Sequence, residues 1–256
     1  MEDPLKHFLQ IGAEISQMIM SPQDKLKMGE EIGKAADGSP TSLVDKRAEE
    51  IVLRAVEEND FDLNVVTEDK GIINRGKKRS LVVDPIDGTY NVVHGIPAYA
   101  ISMAVVERDI SSAEIGFVMN LASRDWYYAV RGKGLIMNGR KVTQPPKRSG
   151  AFLVHLSQGL DRRSLKLISR ARKYRYLGCA ALELALVATG SVDVAAHLGR
   201  AAPLRNIDVA AGVMMVREVG GRVIDGSGKE FNLGLDPREK KNMIAAYSSE
   251  ILEGYI

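Results

Sequence analysis

A chain of 256 residues can bury a substantial core, either as one large domain or as two layered halves of about 100–150 residues each. Hydrophobic residues make up 45% and charged residues 27%, a balance that excludes a disordered chain, and the formal charge of +2 argues against a nucleic-acid binder relying on bulk electrostatics. No apolar run approaches the ~18 residues that cross a bilayer, and a single cysteine, Cys179, excludes an intramolecular disulfide framework. With no signal-peptide pattern around Glu2 and Asp3, these features predict a cytoplasmic protein with no membrane and no nucleic-acid partner.

From Pro4 to Met20, apolar Leu5, Phe8, Leu9, Ile15 and Ile19 recur near helical spacing, which predicts an amphipathic helix. Gly33 to Pro40 reads as a polar loop that carries Lys34. Thr41 and Ser42 can cap a helix running through Glu58, so Asp45 lies in its first turn, where the helix dipole alone favours a carboxylate. A strand over Leu63 to Val66 ends at Glu68 and Asp69, and Lys70 to Ser80 reads as a basic, solvated connection.

The stretch Leu81-Val82-Val83-Asp84-Pro85-Ile86-Asp87-Gly88-Thr89-Tyr90-Asn91 organises the rest. Its β-branched start predicts a strand buried on both faces that Asp84 terminates; Pro85 then turns the chain so that Asp87 returns near Asp84. Gly88 permits close backbone approach, and Thr89 stands where a helix can begin and free N–H groups favour an anion. Two acids beside an anion site are compatible if a hard divalent cation takes their oxygens and still holds phosphate and water. Ordinary turn chemistry in Pro-x-Asp-Gly is the competing reading.

Runs over Ala98 to Val106, Ala113 to Asn120 and Trp126 to Val130 predict a meander, with Asn138-Gly139 as a hairpin turn. Gln144-Pro145-Pro146 suggests a boundary between an N-terminal α+β domain, 1–146, and a C-terminal α/β domain, 147–256. In the second half, strands are expected over Ala151 to Leu156, Val192 to Leu198, Gly221 to Ile224 and Met243 to Ala246. Helices are expected over Arg163 to Lys173, Ala180 to Ala188 and Val209 to Val219, with Asp208 opening the last as an N-cap.

Taken together, Glu68-Asp69, the run DPIDGTYN from Asp84 to Asn91, Gly178-Cys179-Ala180-Ala181, and DVAAG from Asp208 to Gly212 resemble the inositol monophosphatase superfamily, which includes fructose-1,6-bisphosphatases. The resemblance covers nearly the whole chain and implies an α/β layered αβαβα sugar-phosphatase fold, commonly a homodimer. It implies two or three Mg²⁺ ions, with Mn²⁺ as a possible substitute, held by Glu68, Asp84, the carbonyl of Ile86, Asp87 and Asp208. It also implies that Asp45 and Thr89, with Glu68, activate water, and that Gly88 and Thr89 hold the phosphate. Lys34 falls in what resembles the mobile catalytic loop, and Gly178, Cys179 and Ala180 in a segment that reads substrate hydroxyls.

The sequence departs from animal-type members at His197-Leu198-Gly199-Arg200 and at Ile207. There Arg200 and Arg205 resemble the archaeal dual-specificity enzymes, and an arginine fork can hold a second phosphate. The expected activity is hydrolysis of inositol 1-phosphate and of fructose 1,6-bisphosphate. The alternatives are a nucleotide phosphatase acting on NADP or 3′-phosphoadenosine 5′-phosphate, and a regulatory protein that binds transcription factors with vestigial activity.

Overall fold

The computed structural model describes residues 4–21, 27–36, 38–143, 149–155, 161–200 and 203–252. Helix α1 (Leu5–Met20) forms where the apolar spacing predicts it and buries Phe8, Ile11, Ile15 and Ile19. The expected loop at Gly33 to Pro40 is instead part of a hairpin, in which β1 (Glu31–Lys34) pairs antiparallel with β2 (Pro40–Ser42). All four residues of β1 are exposed, so the strand carries no apolar alternation that a sequence could reveal. Helix α2 (Leu43–Glu58) then starts on a capping box: the Asp45 amide donates to Ser42 Oγ at 3.5 Å, and the Ser42 amide donates to Asp45 Oδ2 at 3.3 Å.

The first sheet is built from β3 (Asn64–Thr67), β4 (Gly71–Ile73) and β5 (Ser80–Asp87), followed by the short helix α3 (Thr89–Val93). It continues with β6 (Ala100–Val106), β7 (Ile115–Asn120), β8 (Trp126–Val130), β9 (Gly134–Met137) and β10 (Arg140–Lys141). Its eight strands run in the order β10-β9-β8-β7-β6-β5-β3-β4. The meander from β5 to β10 is antiparallel, as the sequence predicts, and β3 lies parallel to β5. Asn138 and Gly139, with φ of 48° and 79°, make the two-residue turn that a twisted hairpin favours. The presumed solvated connection after Lys70 contains β4, an edge strand beside β3.

The second sheet contains β11 (Ala151–Val154), β12 (Lys173–Arg175), β13 (Val194–His197), β14 (Arg222–Asp225) and β15 (Met243–Ala246), ordered β12-β11-β13-β15-β14. Helices α4 (Arg162–Arg170), α5 (Ala180–Ala188), α6 (Asn206–Glu218) and α7 (Ser249–Leu252) are the other helices among the described residues. Helix α4 stops three residues before the expected Lys173, because Lys173–Arg175 pairs along the open edge of β11. Helix α6 starts at Asn206, which makes Asp208 a first-turn residue rather than the expected N-cap. The Gln144 to Pro146 boundary and the end of the Ala151 to Leu156 strand fall outside the described residues.

Alternation along the strands sorts the core into layers. Leu81 and Val83 face Phe8, Ile15, Val44 and Val52 of α1 and α2, whereas Val82 faces Ala181, Leu184 and Val213 of α5 and α6. The second sheet turns Ala195, Val223 and Ala245 toward the same α5 and α6, and Val194, Ala196 and Ile244 toward α4 and α7. The result is the αβαβα order that the family resemblance implies. Helices α5 and α6 sit between two sheets and are therefore buried on nearly every side, with few charged residues. They pack closely enough that a Cβ at Gly212 would lie 2.4 Å from Leu184 Cβ, so the small residues after Asp208 permit this contact. No described helix is long and apolar enough to cross a membrane.

Candidate active site

Strand β5 does not end at Asp84. Asp84 stands opposite Ser102 and Asp87 opposite Ala100, so three steps on β5 match two on β6, a bulge of one residue. Pro85, lacking an amide hydrogen, occupies this bulge, and the Ile86 amide donates to Asp84 Oδ1 at 3.0 Å. The bulge brings the Asp87 carboxyl close enough for its charge to disfavour that of Asp84, so the two are neighbours though not by the turn expected. Gly88 follows at φ 95°, where a Cβ would meet Ala98 O at 3.0 Å and Gly178 O at 3.2 Å.

Glu68 and Asp208 converge on the same place through Arg205. The guanidinium donates to Asp208 Oδ1 from Nη2 at 2.9 Å and from Nε at 3.1 Å, and its Nη1 donates to Glu68 Oε1. The Arg205 amide also donates to Asp208 Oδ2 at 2.7 Å, fixing that carboxylate at the start of α6. Burial opposes the charge on Arg205, but the carboxylates of Asp208 and Glu68 outweigh it and hold the guanidinium protonated.

The acids are under electrostatic load. Burial, then the charges of Glu68, Asp87 and Asp208, push the Asp84 carboxyl well above the usual range. Burial and Asp208 raise Asp87 to about 7, against hydrogen bonds from the Ala181 amide, at 2.6 Å, and from the Cys179 thiol. Burial also raises Glu68, despite Arg205.

Beside the cluster lies a short relay. Thr89 Oγ1 donates to Asp45 Oδ1 at 2.6 Å, and Ser42 Oγ donates to Asp45 Oδ2 at 2.7 Å. Burial raises the Asp45 carboxyl even though both hydroxyls pull it down. The neighbouring acids Glu68 and Asp69 part company: Asp69 accepts from Thr41 Oγ1 at 2.5 Å, and its amide donates to the buried Glu49 at 3.0 Å.

The segment Leu177 to Ala181 closes the other side. Asn91 Nδ2 donates to Ala98 O at 2.6 Å and to Leu177 O at 2.7 Å. Glu183 accepts the Leu177 amide at 3.0 Å, and its second oxygen lies 2.6 Å from His197 Nε2. His197 is therefore engaged with a buried carboxylate. Cys179 is fully buried, and burial followed by the charge of Asp87 pushes its thiol well up, the opposite of what a nucleophile needs.

Among the described residues, no three acidic, histidine or cysteine side chains stand ready-made as a metal cage. The donor chemistry nonetheless suits a hard cation: Glu68, Asp84, Asp87 and Asp208 offer only oxygens, and Arg205 offsets just part of their charge.

Of the residues singled out by sequence, Asp45, Glu68, Asp84, Ile86, Asp87, Gly88, Thr89, Arg205 and Asp208 come together, with Gly178, Cys179 and Ala180 against them. Lys34 ends the exposed strand β1, Arg200 is exposed, and the Arg205 guanidinium is engaged by Glu68 and Asp208. Ser42 and Glu183 were not foreseen as parts of this network. Glu183 had a signal, being the sole charged residue in the otherwise apolar helix Ala180 to Ala188.

Comparison with known proteins follows the same lines. The inositol monophosphatase family pattern matches residues 2–256. The chain is 35% identical over 245 residues to the fructose-1,6-bisphosphatase/inositol-1-monophosphatase of Thermococcus kodakarensis, covering 95% of this chain and 92% of that one. It is 30% identical over 275 residues to the bifunctional NADP phosphatase/NAD kinase of Methanococcus maripaludis, covering 98% of this chain and 48% of that one. A solved structure from Pyrococcus horikoshii, described as having similarities to inositol-1 monophosphatase, superposes with a TM-score of 0.81 at 31% identity over 98% of each chain. A single-residue bulge at a strand end, four converging carboxylates and full-length similarity agree: the chain belongs to the inositol monophosphatase family, a family of phosphoric monoester hydrolases.

Proposed function

We propose that the protein is a Mg²⁺-dependent phosphomonoesterase acting on inositol 1-phosphate and fructose 1,6-bisphosphate. The observation that carries this reading is the Thr89–Asp45 hydrogen bond set beside the carboxylates of Glu68, Asp84, Asp87 and Asp208. The residues that would hold magnesium, or manganese in its place, are those four carboxylates and the Ile86 carbonyl. When bound, the cation supplies Lewis-acid charge at the attacking water and at the phosphoryl oxygens.

The chain's own residues do the rest. Thr89 Oγ1 donates a hydrogen bond to Asp45 and so presents a lone pair to an incoming water. As that water attacks phosphorus and the ester P–O bond breaks, the water's proton passes to the hydroxyl while the hydroxyl proton passes to Asp45, whose raised pKa suits it to receive it, and the departing alkoxide takes a proton from solvent to leave as the alcohol. The amides of Gly88 and Thr89, at the open start of α3, point donors at the phosphoryl oxygens, and the left-handed Gly88 keeps that backbone clear of side-chain atoms. The segment Gly178 to Ala180, clamped by Asn91 and Glu183, borders the position of the departing alcohol.

Phosphate release measured over inositol 1-phosphate, fructose 1,6-bisphosphate, NADP and 3′-phosphoadenosine 5′-phosphate, with and without magnesium, tests the substrate. Preference for either of the first two supports the proposal. Preference for NADP, a substrate class named for the Methanococcus maripaludis relative, replaces it with the nucleotide phosphatase reading.

A further inference from the structure

Arg205 does something that no phosphatase step above requires. Its guanidinium makes hydrogen bonds to Asp208 from Nε and Nη2 and to Glu68 from Nη1, so one side chain spans two of the oxygens proposed to hold the cation. The two acids come from distant parts of the chain, the turn after β3 and helix α6, and this fork ties them together. The side chain is 16% exposed, so the arginine lies within the cluster rather than over its rim. Charge-assisted bonds of this kind are among the stronger polar contacts, and a cation taking the same oxygens must break them and then tolerate a like charge close by.

We propose that Arg205 is a built-in counter-cation for this site: in the metal-free protein it pairs with Glu68 and Asp208 and offsets part of their charge, and it competes directly with the divalent ion for them. The inference rests on the metal-site reading above and adds a property of this chain's own side chain. Metal loading is then an exchange, in which the guanidinium leaves the carboxylates as the ion enters. Removing the side chain keeps Asp208 in place, because the Arg205 backbone amide still donates to its Oδ2 at 2.7 Å.

The opposite role gives the opposite sign. If Arg205 merely positions Asp208 and Glu68 for the metal, its loss weakens metal binding. Competition predicts that Arg205→Gln binds Mn²⁺ tighter by on the order of tenfold, measured by calorimetry and by the free-ion paramagnetic resonance signal. It also predicts that Arg205→Gln melts lower than wild type in chelator but not at saturating Mn²⁺, with Arg205→Lys between the two. Equal or weaker Mn²⁺ binding by Arg205→Gln overturns the inference while leaving the metal site intact. Failure of both wild type and Arg205→Gln to bind Mn²⁺ overturns the metal-site reading itself.

Discussion

Thr89 Oγ1 lies 2.6 Å from Asp45 Oδ1, a hydrogen bond that joins the first residue of α3 to the first turn of α2 across 44 positions of sequence. Ser42 holds the other Asp45 oxygen, so the carboxylate that is an ordinary helix-start acid by sequence is aimed at the threonine. Thr89→Val or Asp45→Asn is expected to lower kcat by roughly 10²–10⁴ with KM little changed, while Thr89→Ser retains most activity. Equal kcat in Thr89→Val and wild type would remove the relay from the account.

The acid cluster stores unfavourable charge when no cation is bound. At about pH 8, Asp87→Asn is therefore expected to raise the melting temperature of the metal-free protein while abolishing metal-dependent turnover. A variant that melts lower than wild type in chelator contradicts this reading of the cluster.

The pH dependence of stability follows from the same group. Asp87 sits at about 7 in the folded protein, whereas an unfolded aspartate titrates near 4, so between these values the folded form keeps a proton the unfolded chain has lost. That contribution is fully present below about pH 4 and is lost as the pH rises through about 7. The metal-free protein is thus expected to melt lower at about pH 8 than at about pH 6. The stabilisation gained from added magnesium should grow over the same interval, because the cation binds the ionised carboxylates. A magnesium-induced shift that shrinks from about pH 6 to about pH 8 speaks against it.

Gly88→Ala places a methyl against Ala98 O and Gly178 O at a positive φ. The expected cost is about 1–3 kcal/mol of stability, with a loss of activity larger than the loss of fold because the phosphate-facing amides move. Chemical denaturation and phosphate release on the same preparation separate the two effects.

Glu183→Ala strands the Leu177 amide and His197 Nε2 inside the protein. Roughly 1–3 kcal/mol for each stranded group is expected, and Glu183→Gln, which can still accept from Leu177, should recover part of it. Denaturation midpoints for the two variants check this; equal loss in both would mean that shape alone, not the hydrogen bond, matters at this position.

Where the sequence carried a period, it was legible: α1, α2, α5 and the meander lie where apolar spacing puts them, because each buries one face or both against a neighbour. The exposed strand β1 and the edge strand β12 were not, since their residues are held by backbone pairing at positions where the side chains face solvent. The acids of the site were legible as motifs, but not how the backbone delivers them. A bulge in β5 looks like a strand end when only the pattern Val-Asp-Pro is seen, and the N3 position of Asp208 looks like an N-cap until Arg205 and Asn206 are known to begin the helix turn. Arg205 itself read as a substrate residue, because no local pattern discloses that its partners are Glu68, 137 positions away, and Asp208.

The carboxylates around Asp84 are proposed to form a magnesium-dependent phosphatase centre. Its most direct measurement is phosphate release from inositol 1-phosphate and fructose 1,6-bisphosphate across a magnesium titration, in wild type and in Asp208→Asn. The account predicts turnover that requires magnesium in wild type and falls by roughly 10² or more in Asp208→Asn. Turnover that persists in chelator, or that is unchanged in Asp208→Asn, would contradict it.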